Sequence, residues 1–202
     1  AAPFALIGPH AGLRYSGAAA GKGYAWLKGR SFRRVWLLGP SHHVSFEGLA
    51  LPPSGMSAYE TPVGDLSIDH EAVEALRGAP GFAGPGNAHL PEHSLELHAI
   101  FLAGVLGETS IVPLVVGRLG DDGAVRALAR AWAPHVGPDD AVVVSSDFTH
   151  FGLGFGYRPF SEHVEEGLEQ LLSEAVSAIV EGGLEAFTAY LARTSDTICG
   201  RE

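Results

Sequence analysis

The feature that most constrains this chain is a set of short apolar runs bounded by Gly and Pro, at residues 4–7, 35–38, 49–51, 111–116 and 141–145. Two of them, IVPLVV from Ile111 and AVVVSS from Ala141, show no polar alternation, as expected of strands buried on both faces of a sheet. Helical periodicity fills the intervals. It predicts helices over Ser16 to Lys28, from an Asp69 cap with an Ile68 staple through Gly78, and from Pro91 to Val105. Three more are predicted over Gly123 to Ala133, Glu162 to Val180 and Leu184 to Ala192. Strands alternating with helices predict an α/β fold, with a mostly parallel central sheet flanked by helices. No polar linker, charge block or repeat interrupts the chain, so a single domain over residues 1–202 is expected.

In such sheets, ligands bind where the carboxyl ends of the strands open into loops. Three predicted strands run into histidine there. FALIG leads to His10, VWLLGPS leads to His42 and His43, and AVVVSS leads to Asp147 and His150. The Gly-Pro turns before His10 and His42 limit backbone freedom and so suit rings held for a metal. A single histidine in this setting is as well explained by a bond to a nearby carbonyl, and it is the repetition at three strand ends that favours a site.

Composition excludes some functions. Acidic residues outnumber basic ones by 23 to 13, for a formal net charge of -10, so the electrostatic footprint of a nucleic-acid partner is missing. One cysteine forms no intrachain disulfide framework, which fits a reducing cytoplasm. The first residues lack a basic leader and read as a strand, and no apolar run is expected to cross a bilayer. No membrane partner is expected.

The remaining constellations are weaker. In SSDFTHFG, Asp147 lies three residues before His150, close enough to orient its ring or to ligate beside it. A serine hydrolase built on Ser145 or Ser146 lacks the G-x-S-x-G elbow. In PEHSLELH, His93 and His98 are five apart, about 140° round a helix, so at most one of them points into a given site. Glu92 and His93 are candidate site residues, and His98 reads as a satisfied interior histidine. His70, His89, His135 and His163 read as surface residues. Tyr59 and Asp65, in the loop YETPVGDLSID, are candidates to line a cleft. GKG at 21–23 and GLGFG at 152–156 match no phosphate-loop pattern. Cys199 sits in a predicted turn beside Gly200 and Arg201, where a cation favours thiolate.

Seven motifs in one order, PHAG with RYSG (9–17), LLGPSHH (37–43), YETPVGDLSID (59–69), EHSLELH (92–98), VPLVVG (112–117), SSDFTHFG (145–152) and TICGR (197–201), resemble the Memo family. Its animal members are described as mediators of receptor-driven cell motility, and its bacterial and archaeal members as AmmeMemoRadiSam system protein B. The resemblance implies the LigB-like fold of the class III extradiol dioxygenases, non-haem iron enzymes that open catechol rings. It implies a metal site at His10, His42 and Cys199, with His150, Asp147 and His93 as catalytic pocket residues. Family members extend beyond both ends of this chain, so a truncated member is expected.

Two histidines with a thiolate differ from the two-histidine, one-carboxylate set of iron dioxygenases, and soft sulfur shifts preference toward copper(I) or zinc. The expected function is a metal-dependent redox protein using one iron(II) or copper ion, zinc being less favoured, with oxygenation of a catechol-like or enediol small molecule as the expected reaction. The alternative is a non-catalytic metal-binding or phosphopeptide-binding adaptor, with Arg14, Arg158 and Arg201 as candidate cations. A zinc hydrolase ranks third.

Overall fold

The computed structural model describes residues 4–201. Within the expected domain the chain forms two compact units, the first ending at Ser146 and the second comprising Asp147–Arg201.

The first unit is an α/β layer structure. In chain order it contains β1 (Phe4–Gly8), α1 (Leu13–Tyr24), β2 (Val35–Pro40), β3 (Leu49–Ala50), β4 (Ala58–Tyr59), β5 (Leu66–Ser67) and α2 (His70–Leu76). There follow α3 (Glu96–Leu106), β6 (Ile111–Val116), α4 (Asp122–Trp132) and β7 (Ala141–Ser145). The main sheet has the order β1-β7-β2-β6-β3. Only β3 runs antiparallel. The mostly parallel sheet flanked by helices is therefore as predicted, and the non-alternating runs occupy its middle. Ile111 through Val115 are buried without exception, as are Val35, Trp36 and Leu37. Burying such a side chain contributes ~1.5–3 kcal/mol.

The register brings the functional end together. Gly8 lies opposite Ser145, and Leu38 opposite Val144, so the chain leaves β1, β2 and β7 along one edge of the sheet. At the other edge, buried Asp140 accepts hydrogen bonds from Arg33 (2.8 and 2.9 Å), Trp36 Nε1 (3.0 Å) and the Gly137 N–H (2.9 Å). Burial raises its carboxyl pKa, but these donors and the Arg33 charge more than offset that and leave it lowered.

Several local expectations are corrected. Helix α2 starts after Asp69, whose carboxylate accepts the Ala72 N–H at 2.9 Å as predicted. Helix α3, however, begins at Glu96 and not at Pro91, because the Glu92 carboxylate accepts the N–H groups of His93 and Ser94, both at 3.0 Å, and holds that segment in a loop. The stretch read as a loop from Tyr59 contains a small antiparallel pair, β4 with β5. His89, predicted at the surface, is 5% exposed. Its Nε2–H donates to the Ala50 carbonyl at 2.9 Å, and its Nδ1 meets Tyr59 Oη at 3.3 Å. Burial lowers its pKa. Tyr59 lines a cavity of about 460 Å³ with His89, as the cleft reading anticipated for it.

The second unit contains α5 (Val164–Ser177), a wide π turn (Ala178–Gly182) and α6 (Gly183–Thr194). Contrary to expectation, the helical run Val164–Thr194, 31 residues, is long and apolar enough by composition to cross a membrane. Its geometry is not that of a single rod. Tyr190 Oη lies 3.2 Å from the Leu171 carbonyl oxygen, and Arg193 meets Glu174 at 2.6 Å, each pair 19 residues apart. A straight helix would separate them by roughly 28 Å. The run is a hairpin, and its arms of 14 and 12 residues are each shorter than the ~20 needed for a span. Gly183, at φ 68, makes the bend, and a Cβ on Gly182 would lie 2.2 Å from that of Ala186.

Candidate metal centre

His10, His42 and His93 converge in the first unit. One ligating nitrogen from each lies within 4.8 Å of the others, and His10 is buried while the other two reach solvent. Ring centroids are 5.0 Å apart for His10 and His42, 4.8 Å for His42 and His93, and 5.8 Å for His10 and His93. His43 stands further out, 5.8 Å from the His93 ring.

Each ring is placed by local structure. His10 and His42 follow β1 and β2 through their Gly-Pro turns. His93 comes from the loop that Glu92 organises. The Glu92 side chain is 1% exposed. It accepts the His42 N–H at 2.6 Å, the His42 ring Nδ1 at 2.8 Å, and the backbone N–H groups of His93 and Ser94. Burial pushes its carboxyl pKa up, but the His42 and backbone hydrogen bonds and the nearby His42 charge outweigh it and hold the value at about 2. An ionised, buried carboxylate thus stands behind His42, an arrangement common behind metal-bound imidazoles.

Ser94 Oγ donates to the Pro40 carbonyl at 2.9 Å, which docks this loop onto the end of β2. The docking requires glycine at 39, since a Cβ there would lie 2.6 Å from Ser94 Oγ and 2.7 Å from Leu95. Ser145 is also engaged, with His10 Nδ1 at 2.7 Å and the Ser94 carbonyl at 2.6 Å. Its hydroxyl hydrogen is directed at a carbonyl and not at a general base, which argues against Ser145 as the nucleophile of a serine hydrolase.

His98 lies apart from this cluster. It is fully buried, with Nδ1 2.6 Å from Tyr24 Oη, as read from the sequence. Burial raises the Tyr24 pKa far above its usual value, so the phenol is neutral.

The other predicted residues belong to the second unit. The backbone N–H of His150 donates to Thr197 Oγ1, and its ring Nδ1 meets the Thr197 carbonyl, both at 2.8 Å. Cys199 Sγ is 3.8 Å from His150 Nε2, and the Cys199 N–H donates to the Asp147 carbonyl at 2.9 Å. The segment is anchored by buried Asp196, which accepts from Tyr190 (2.5 Å), Thr149 (3.0 Å) and the Thr197 N–H (2.7 Å). Arg201 donates to the Asp196 and Ser195 carbonyls. Asp196, Glu92 and Ser145 are the residues that the sequence reading left without a role or undecided. Glu92 is visible in the sequence as an acid beside a histidine and Ser145 only as a candidate nucleophile, whereas Asp196 carries no local signal.

Three nearby imidazoles, two of them backed by buried hydrogen-bonding groups, fit a transition metal that takes nitrogen ligands. The geometry can hold such an ion.

Comparison with known proteins agrees with the motif order. The family model for Memo-like proteins matches residues 2–202. "Protein memo-1 homolog" of Caenorhabditis elegans is 36% identical over 205 residues, covering 98% of this chain and 58% of that protein. "Protein MEMO1" of Homo sapiens is 32% identical over 206 residues, and that of Danio rerio 33% over 208, each alignment covering 98% of this chain and 68% of the relative. The chain thus spans 58% of the worm relative's length and 68% of the vertebrate ones. With the motifs, the sheet and the match across residues 2–202 in agreement, the chain belongs to the Memo-like protein family.

Proposed function

We propose that this protein is a metal-dependent redox protein whose metal centre is built on His10 and His42, with His93 beside them. The observation that carries this reading is the convergence of the three ring nitrogens within 4.8 Å. Neutral imidazoles so close can offer nitrogen lone pairs to one shared cation. Iron(II) or copper is our assignment for the ion, with zinc ranked below. When bound, such a metal supplies redox chemistry and Lewis acidity that the side chains lack.

The chain's own residues do the rest. Glu92 fixes His42 and compensates charge. His93 and the solvent-facing side of His42 leave the site open to a small molecule, and a catechol-like or enediol compound is the substrate class we assign. In the second unit we assign proton transfer to His150, with Asp147 as its acidic companion. The Thr197 carbonyl accepts a hydrogen bond from His150 Nδ1–H, which leaves the Nε2 lone pair to accept a proton. The family resemblance adds Cys199 as a ligand, and metal content of Cys199→Ser tests that assignment by itself. We place the protein in the cytoplasm, where its one thiol stays reduced.

The test of redox function is oxygen consumption by the iron-loaded and copper-loaded protein with a panel of catechols and enediols. Metal-dependent uptake that disappears in His42→Ala supports the reading. No uptake with either metal across the panel contradicts oxygenase chemistry and favours a metal-binding module.

A further inference from the structure

The two buried hydrogen-bond chains behind His10 and His42 have a shared consequence. A carbonyl oxygen only accepts, so the Ser145 hydroxyl, 2.6 Å from the Ser94 carbonyl, must spend its single proton there. It then has only lone pairs to offer His10 Nδ1 at 2.7 Å, and that nitrogen must carry the hydrogen. His42 reaches the same state by another route. Its Nδ1 is 2.8 Å from Glu92 Oε1, an oxygen that also accepts the His93 and Ser94 N–H groups and therefore acts as an acceptor.

We propose that Glu92, Ser94 and Ser145 form one tautomer clamp, positioning residues that fix both His10 and His42 as Nδ1–H imidazoles with the lone pair on Nε2. This inference deepens the proposed metal centre and rests on that reading for its purpose, though the tautomers exist with or without a metal.

Ser94 is the joint of the clamp. Its N–H is held by Glu92, its carbonyl receives Ser145, and its Oγ ties the loop to Pro40 two residues before His42. One short segment thereby controls rings from two different strand ends. The groups behind the rings are sheltered, with Glu92 3% exposed, Ser94 0% and Ser145 2%; His10 is 4% exposed, and the His42 side chain is 29% exposed. Water does not compete for the Ser145 bonds, so the preference at His10 is strong. A free histidine side chain favours the opposite, Nε2–H form, so the clamp leaves a signature that a merely space-filling role for Ser145 does not.

The partners differ in charge. His42 is backed by a carboxylate and His10 by a neutral hydroxyl relay. Loss of Ser145 therefore releases the His10 tautomer alone, while Glu92 continues to hold His42.

The experiment is long-range proton–nitrogen correlation NMR on metal-free, nitrogen-15-labelled protein, at a pH where the rings are neutral, with His10→Gln and His42→Gln used for assignment. The expected spectrum shows protonated Nδ1 and lone-pair Nε2 for both residues. In Ser145→Ala, His10 shifts toward the Nε2–H form or a mixture and His42 is unchanged, and Ser145→Thr restores the native pattern by keeping the hydroxyl. Zinc affinity, measured by chelator competition, falls ~10–100-fold in Ser145→Ala. An Nε2–H or mixed His10 in the native protein overturns the clamp, as does a His10 spectrum indifferent to Ser145→Ala. Correct tautomers in a protein that binds no metal leave the clamp standing and sink the metal-centre reading instead.

Discussion

The two units hold their histidines in different ways. In the first, His10 and His42 follow β1 and β2, the two strands that flank β7 in a mostly parallel sheet whose core includes Trp36, Leu37, Ile111 and Leu114, all fully buried. In the second, the buried apolar cluster is Ala175, Tyr190 and Ile198, and His150 is held chiefly by Thr197 in a segment tied down by Asp196. Apolar side chains remain outside there as well, with Val180 75% and Leu153 83% exposed. The contrast teaches that a ring can be fixed by a deep scaffold that tolerates little change, or by a local hydrogen-bond knot on a thin core. The first should be globally stable and the second should open locally first.

The largest effect that sharpens this comparison comes from cores. Leu114→Ala should destabilise the first unit by ~2–5 kcal/mol in denaturant unfolding. Leu171→Ala, at a half-buried position in the second unit, should cost less than half of that and accelerate amide exchange only within 147–201. Equal costs would break the proposed difference in depth.

Next is Asp140→Ala. It strands the Trp36 indole N–H and the Gly137 N–H and should cost ~1–3 kcal/mol. The carboxyl pKa is lowered on folding, so its contribution is fully present above the unfolded value near 3.9 and is lost as pH falls through the lower folded value. Acid titration of stability should therefore be shallower in Asp140→Asn than in the parent.

Tyr190→Phe should cost about 1 kcal/mol, since the Asp196 carboxylate loses its tyrosine donor. Its signature is faster exchange in the helical hairpin with unchanged protection of β2 and β6. Smallest is Arg193→Ala. It removes an exposed pair with Glu174 and should leave the melting temperature unchanged within error.

Much of this arrangement was legible in the sequence because its causes are local. The runs IVPLVV and AVVVS announced strands by lacking alternation, and Asp69 announced the start of α2 by its chemistry. The Gly-Pro turns before His10 and His42 pointed to the functional edge, and the motif order to the family. What stayed hidden depends on long-range partners. The late start of α3 follows from Glu92 capturing two backbone N–H groups and His42, 50 positions away. His89 looked like a turn residue because its acceptor, the Ala50 carbonyl, is 39 positions off. Ser145 was weighed as a nucleophile, yet its role is set by Ser94 and His10, 51 and 135 positions away. The hairpin in 164–194 was read as two helices, and its fold-back rests on the Gly182-Gly183 pair together with contacts 19 residues apart.

The central claim is that His10 and His42 hold a metal. It is tested most directly by purifying the protein without oxygen and without a histidine tag, then measuring bound metal by mass spectrometry beside His10→Ala and His42→Ala. The account predicts about one iron or copper ion per chain in the parent, as isolated or after reconstitution, and loss of that ion in both variants. A parent that takes up neither iron, copper nor zinc, or variants that retain the metal at parental stoichiometry, would contradict it.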